Sequence, residues 1–312
     1  MFKRIVIASE TSPDAFYVLK QLKSLQKLGA KECLLLQCLH PHEIKATLSP
    51  HFNAILEENL NKQKEVLLEQ GFEVQTRVVS GHIRKEVTRI AVEEGYSIIV
   101  AGAAEYSLMG EVFFGVVAHE VIHQASKPVL LIRIPYRPEE DLSTVPEIDL
   151  TSHVLFPTDF SENAGLAFEY VKKMVTDGVK KITLIHVQDP SRINPRLAHR
   201  IEKYNVIDTP EDVAKEELLA AERLEKFNTI DAQRLDDMKK ELQNLGNAEI
   251  DICLLCGSPS VEIMKAINEQ KIPLVVMGSQ GRGFVKEVYL GSVSNNLTRH
   301  SSASILLVPA KR

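Results

Sequence analysis

The chain has 312 residues, 44% apolar and 25% charged, with 15 Gly and 14 Pro; this globular composition excludes disordered and collagen-like classes, and the length favours two domains. A net charge of −5 leaves no electrostatic footprint for nucleic acid or for an anionic membrane surface. No apolar run approaches the ~18 residues of a bilayer span, the start MFKRIVIASE lacks the apolar core of a signal peptide, and four cysteines make no disulfide framework, so a soluble cytoplasmic protein is expected.

In chain order, KRIVIASETSPDA opens a first unit and KECLLLQCLHP (Lys31 to Pro41) continues it. Both return ungapped 149 residues later, as SHVLFPTDFSENA and KKITLIHVQDP (Lys180 to Pro190), with Ile5 matching Val154 and Ala15 matching Ala164. Further on the offset is 176: Gly81 matches Gly257, Gly102 matches Gly278, Gly115 matches Gly291, and PVLLIRIP matches SILLVPA. The change of offset places 27 extra residues in the second copy, between Pro190 and Glu249. RPEEDLSTVPEID (Arg137 to Asp149) is acidic, has two prolines and lacks periodicity, as a linker does. Two copies of one unit follow, over residues 1–137 and 150–312.

Within the second copy, HVLFPTD is a short apolar run bounded by turn residues, which suits a strand buried on both faces. NAGLAFEYVKKMVTDG has helical spacing and ends on a capping Gly. KITLIHV, EIDICLLCGSP, PLVVMGS and SILLVPA read as strands two to five, with amphipathic VEIMKAINEQ and SVSNNLTRHS between the last three. Strands alternating with helices predict an α/β class, two tandem doubly wound parallel five-stranded sheets with right-handed crossovers. Ligands in such sheets bind beyond the carboxyl ends, here at the first and fourth strands. The insertion, about 191–247, contains EDVAKEELLAAERLEKF and AQRLDDMKKELQNLG. These read as long exposed helices that elongate the second helix with a solvated face; partner docking is the alternative.

After the fourth strand, MGSQGRGFVKEVYLGSVSNNL places Gly278, Gly281, Gly291 and Ser292 in a G-x2-G-x9-G-S spacing. Glycines there let the backbone take φ > 0 and approach a ligand. Ser292 opens a helix whose amides and dipole favour an anion, as do successive amides in a Gly-rich turn. The pattern is neither GxxxxGK[ST] nor GxGxxG. The first strand ends in Pro157, Thr158, Asp159, the second in His186, Val187, and the third in Gly257, Ser258, Pro259.

With these motifs the chain resembles the universal stress protein superfamily in its tandem form, over nearly all its length except linker and insertion. The resemblance implies an adenine nucleotide alpha-hydrolase-like fold and ATP as ligand, with or without Mg²⁺. It implies that Asp159, beside Pro157 and Thr158, holds the ribose hydroxyls, and that Val187 meets adenine through its backbone. Met277 and Gly278 would line the nucleotide, and Gly281, Gly291, Ser292 and Val293 would hold phosphates. Arg282 would reach a terminal phosphate, unless it is simply a surface arginine. The fifth strands of two domains commonly pair in this family, which implies an internal pseudo-dimer and leaves room for a homodimer; no protein partner is specified.

The first copy departs from this pattern. Its matching loop is AGAAEYSLMGEVFFGVV, with Glu105 in place of Gly281 and Val116 in place of Ser292. Asp159 is matched by Glu10 and Pro157 by Ala8. A carboxylate where phosphate should lie is repulsive by roughly 1–4 kcal/mol at 4 Å, so this copy reads as a degenerate site. His119-Glu120-Val-Ile-His123 is a literal HExxH. The repeat matches its histidines with Asn295 and Arg299, so they read as solvent-facing and no metal is assigned. Cys253-Leu-Leu-Cys256 lies in an apolar run and, like Cys33 and Cys38, reads as buried strand cysteines. No catalytic residue is assigned. The leading expectation is an ATP-binding regulatory or stress-response protein acting through nucleotide-dependent conformation or partner binding. A slow ATPase or phosphotransferase is the second, with Asp159 as the only carboxylate the motif places near. A nucleotide-free interaction module is the third.

Overall fold

A computed structural model describes residues 1–12, 14–39, 50–108, 111–114, 116–123, 125–135, 145–189, 210–282 and 290–311. The first half runs β1 (Arg4–Ser9), α1 (Asp14–Lys20), a 3-10 helix (Gln21–Leu28), β2 (Glu32–Leu39), α2 (Pro50–Glu69), β3 (Glu73–Ser80) and α3 (Ile83–Glu93). It closes with β4 (Ile98–Leu108), β5 (Glu111–Phe114), α4 (Val116–Ile122) and β6 (Val129–Ile134). The second half runs β7 (Val154–Pro157), α5 (Glu162–Thr176), β8 (Lys181–Gln188), α6 (Pro210–Gln243) and β9 (Glu249–Cys256). It ends with α7 (Pro259–Gln270), β10 (Leu274–Gly278), α8 (Ser292–His300) and β11 (Ser304–Val308). Gly115 and most of the linker and early insertion (136–144, 190–209) lie outside the described residues.

The strands run in the order β3-β2-β1-β4-β6-β11-β10-β7-β8-β9, with β5 attached to β4. Apart from the antiparallel β4–β5 pair, pairing is parallel within each half. Across the middle it is antiparallel, with Leu131 opposite Ile305 and Val129 opposite Leu307. Both strands of this seam are buried throughout. Alternation along each strand sends side chains to two cores. Ile5, Ile7, Leu35, Phe156 and Leu184 face α1, α5 and α6, while Val6, Leu34, Leu155 and Val275 face α3, α7 and α8. Each core draws on both halves, so the two copies share their apolar packing. A fully buried Leu or Phe contributes about 1.5–3 kcal/mol, against about 0–1 for an exposed ion pair, so apolar packing rather than surface charge dominates the joint.

Local chemistry explains the elements. Ser161 caps α5 by accepting the Ala164 amide at 3.2 Å. Leu22, Leu25 and Leu28 repeat every third residue and are all buried, the period that puts them on one edge of a 3-10 helix. The residues before β7 are tied to the first half: Asp149 accepts from Lys27 at 2.8 Å, and Gln21 Oε1 accepts the Ile148 amide at 2.7 Å. No helix among the described residues is long and apolar enough to cross a membrane.

Three expectations are corrected. Among the described residues the two predicted segments of the insertion are continuous in one elongated helix, Pro210–Gln243, but this helix is not wholly solvated: Asp231, Leu235 and Leu242 are buried. Leu235 and Leu242, two turns apart, anchor it on the core. Cys253 is only half-buried and Cys256 is exposed, because β9 is the edge strand of the sheet. Cys33 and Cys38 are buried, and burial pushes both thiols up to about 12. Finally, the segment after β4 is not a glycine loop but a hairpin, with Glu105 opposite Phe114 and Leu108 opposite Glu111.

Candidate functional site

The carboxyl ends of β7, β8 and β10 meet α6, α7 and α8 around a cavity of about 220 Å³. It lies where strand order reverses between β7 and β10, the position at which doubly wound sheets hold ligands. Pro157, Thr158, Asp159, Val187, Met277, Gly278, Gly281, Arg282 and Val293 all line it. Gly291 and Ser292 stand just off the wall as the N-cap and first residue of α8.

The turn after β7 is built by its own side chains. Thr158 Oγ1 accepts the Phe160 amide at 3.0 Å, and Asp159 Oδ1 accepts the Ser161 amide at 3.1 Å. Phe160 is held left-handed at φ 58°, a conformation that disfavours a residue with a Cβ and persists only where its surroundings fix it. Its ring is fixed by His186, 4.6 Å away, and by the Arg234 guanidinium at 5.2 Å. Asp159 Oδ2 accepts the Arg282 amide at 2.8 Å, and Arg282 Nε donates to the Asp159 carbonyl at 2.5 Å. The carboxylate thus ties the first turn to the glycine loop.

The glycines are required by close approach, not by φ > 0 as expected: none of Gly278, Gly281 and Gly291 has positive φ. A Cβ on Gly281 would lie 2.4 Å from Asp159 Oδ2, and one on Gly278 2.7 Å from Asn163 Nδ2. Asn163 is buried there because Nδ2 donates to the Gln280 carbonyl at 3.0 Å. Behind the loop, Ser294 Oγ donates to the Gly278 carbonyl at 2.9 Å, and Gly291 N to the Ser279 carbonyl at 2.8 Å. Gly291 has no side chain with which to cap α8, so the amides of its first turn have no capping acceptor from that residue.

Other wall residues extend the strand-end motifs or lie outside them. His186 and Pro259 belong to the strand ends read in the sequence, whereas Ile185, Gln188 and Asp189 at and after the end of β8, Phe227 and Asp231 of α6, and Ile263 of α7 carry no motif. Alternation along β8 signals its end residues, but only the packing of α6 over the strand ends brings Phe227 and Asp231 in. His186 Nδ1 is 2.7 Å from the Thr158 carbonyl, and its Nε2 is 3.4 Å from Asp231 Oδ2.

In the first half, a cavity of about 260 Å³ lies at the ends of β1, β4 and β6 under α1, lined by Glu10, Asp14, Gln63 and Gly102 among others. Burial, and then Asp14, push the Glu10 carboxyl above its usual range. The HExxH histidines, one turn apart, meet edge-on with Nε2 atoms 3.0 Å from each other. Burial lowers the pKa of His123 most, followed by the charges of His119, Arg84 and Arg299.

The model of the universal stress protein family matches residues 1–133 and again 151–309. The universal stress protein MJ0577 of Methanocaldococcus jannaschii is 31% identical over 159 residues, 51% of this chain and 94% of that protein. Among solved structures, a universal stress protein from Archaeoglobus fulgidus is similar across 99% of both chains, with 20% identity and a TM-score of 0.64. A functionally unknown protein, PA1789, from Pseudomonas aeruginosa is similar over 99% of this chain and 93% of its own, at 13% identity and a TM-score of 0.59. At those identities the structural likeness concerns the fold alone.

Proposed function

This chain belongs to the universal stress protein family, and we propose that it is a cytoplasmic ATP-binding regulatory protein of the stress response, holding one adenine nucleotide in its second half. The observation that carries this reading is the meeting, at one cavity, of apolar strand ends, a glycine loop and the amino end of α8. The base and sugar fit the cavity between Val187, Met277 and Ile263. The phosphates follow the loop to Gly281, Gly291, Ser292 and Val293, where uncapped amides and the helix dipole favour negative charge. The cradle fits: Gly281 and Gly278 stand where any Cβ would strike Asp159 or Asn163, so the loop lies low enough for phosphate to approach its backbone.

Asp159 accepts one backbone N–H on each oxygen, and each oxygen keeps acceptor capacity for the ribose hydroxyls. That engagement suits positioning better than service as a base, and favours regulation by occupancy over turnover. Mg²⁺ would enter with the phosphates it neutralises. Arg282 is exposed, and with Nε on the Asp159 carbonyl its terminal nitrogens are directed to the outermost phosphate. Mass spectrometry of small molecules released from protein purified without added ligand, paired with ATP calorimetry, tests the reading. One adenine nucleotide per chain is expected. Two equivalent sites, or no binding of ATP, would refute it.

A further inference from the structure

The wall that α6 adds to the cavity differs in kind from its counterpart in the first half. In the second half Gln188 Nε2 donates to Asp231 Oδ2 at 3.0 Å, His186 Nε2 stands 3.4 Å from the same oxygen, and Arg234 Nη1 donates to Oδ1 at 3.3 Å. Asp231 is 5% exposed. The repeat matches Gln188 with Leu39, and Leu39 packs with Leu56 and Leu60 of α2 in a small buried cluster. At this strand end, leucines rather than a carboxylate hold the second helix on the second strand. A buried charged group is no better for stability than well-packed apolar side chains of similar size, so the fold alone does not explain Asp231.

Its surroundings point into the cavity. The Thr158 carbonyl can only accept, so His186 Nδ1 carries the hydrogen of their 2.7 Å contact, which turns Nε2 toward Asp231 at 3.4 Å. An ionised carboxylate offers about four acceptor positions. Two donors, from Gln188 and Arg234, reach this one among the described residues, and the carboxylate lies on the wall of a largely apolar cavity. Phe227, one turn earlier, lines the same cavity yet is 45% exposed, so its ring borders space that a flat ligand would fill. A remaining acceptor beside an aromatic face suits a planar group bearing an amine.

Resting on the reading that the cavity takes a purine nucleotide, we infer that α6 is the base-selecting wall: Phe227 covers the face of the base and Asp231 accepts from its exocyclic 6-amine. A 6-oxo purine presents an acceptor at that place, which a carboxylate repels.

Calorimetry with ATP and with inosine triphosphate, which carries an oxygen in place of the amine, tests this. The intact protein should prefer ATP by about 10- to 100-fold, the range of one hydrogen bond to a charged group. Asp231→Leu combined with Gln188→Leu, so that no buried amide is left unpaired, copies the apolar arrangement of the first half and should keep its fold. It should lose most of the affinity for ATP while leaving that for inosine triphosphate unchanged or higher, so that the preference collapses. Phe227→Ala, at an exposed position, should weaken both nucleotides by a similar factor of about 3–10 and keep the preference. If this double variant binds both nucleotides in the ratio of the intact protein, the selecting role of Asp231 is wrong while the ATP site stands. If the intact protein binds neither, both readings fall together.

Discussion

After the fourth strand the two halves part company. β10 stops at Gly278 and the chain turns at once, pinned by Asp159 to the Arg282 amide. β4 instead runs on to Leu108 and folds back as a hairpin whose second strand packs against α8 of the other half. The turn that one half opens to the cavity, the other uses as a prop for its neighbour. A shared frame of five strands thus leaves the loop free to take opposite roles, and on the proposed reading the loop-bearing half is the one that receives an anion.

The most damaging way to make the halves alike is Gly281→Glu, which installs the residue the first half has. A side chain there would start 2.4 Å from Asp159 Oδ2 and bring a second carboxylate to the phosphate path. Each lost charge-assisted contact costs about 1.5–3 kcal/mol, roughly 10- to 100-fold, so ATP binding should disappear from calorimetric range. Glu105→Gly in the first half should leave stoichiometry and affinity untouched. Retained binding in the first variant, or a new site in the second, would break the comparison.

Asp159→Ala comes next. It releases the Ser161 and Arg282 amides together and should lower ATP affinity about tenfold or more, whereas Glu10→Ala at the matching position should not alter it. Equal effects from the two variants would show that both halves bind.

Much of this asymmetry is legible in residues alone. The repeat, the five strands of the second half and the G-x2-G-x9-G-S loop follow from short apolar runs punctuated by glycine, a strong local signal. The hairpin is hidden because matching Gly102 to Gly278 carries the glycine-loop reading across AEYSL and EVFF, runs whose aromatic and β-branched residues also suit strands. Asp231 and Phe227 sit in a charged helical repeat that reads as solvated; only the tertiary placement of α6 turns one face onto the cavity. The exposed position of Cys256 depends on strand order, which a run of apolar residues does not disclose. The glycines were readable as a loop, but their reason, room for Asp159 and Asn163, is a contact between segments more than 100 residues apart.

The seam between the halves offers a smaller test. Arg133 of β6 is buried, donates from Nη2 to the Thr298 carbonyl near the end of α8 at 2.7 Å, and its amide donates to Ser304 Oγ at 3.2 Å. Pro309 stands at the matching place in the second half and donates nothing. Arg133→Met should cost about 1.5–3 kcal/mol in urea denaturation with a single transition kept, because the two cores are shared. Two separated transitions in the intact protein would mean the halves fold independently.

The smallest expected effect concerns pH. His153, matched by Arg4 in the first half, has its pKa lowered first by burial and then by Lys181. The folded state then binds fewer protons than the unfolded one, so stability from this site is present above the unfolded value near 6.5 and is lost as pH falls toward the folded value. Melting curves between pH 7.5 and 5.5 should show a slightly smaller acid loss in His153→Gln than in the parent. An identical slope would remove this difference between the halves.

The antiparallel seam fixes more than geometry. Separate modules joined through such edges would associate by mass action, so that dilution would dissolve the pairs and like would pair with like as readily as with unlike. Here β6 and β11 belong to one polypeptide, and the encounter is intramolecular at any concentration. Each molecule therefore carries one hairpin-bearing half and one loop-bearing half, a one-to-one stoichiometry set at synthesis that neither expression level nor dilution can change.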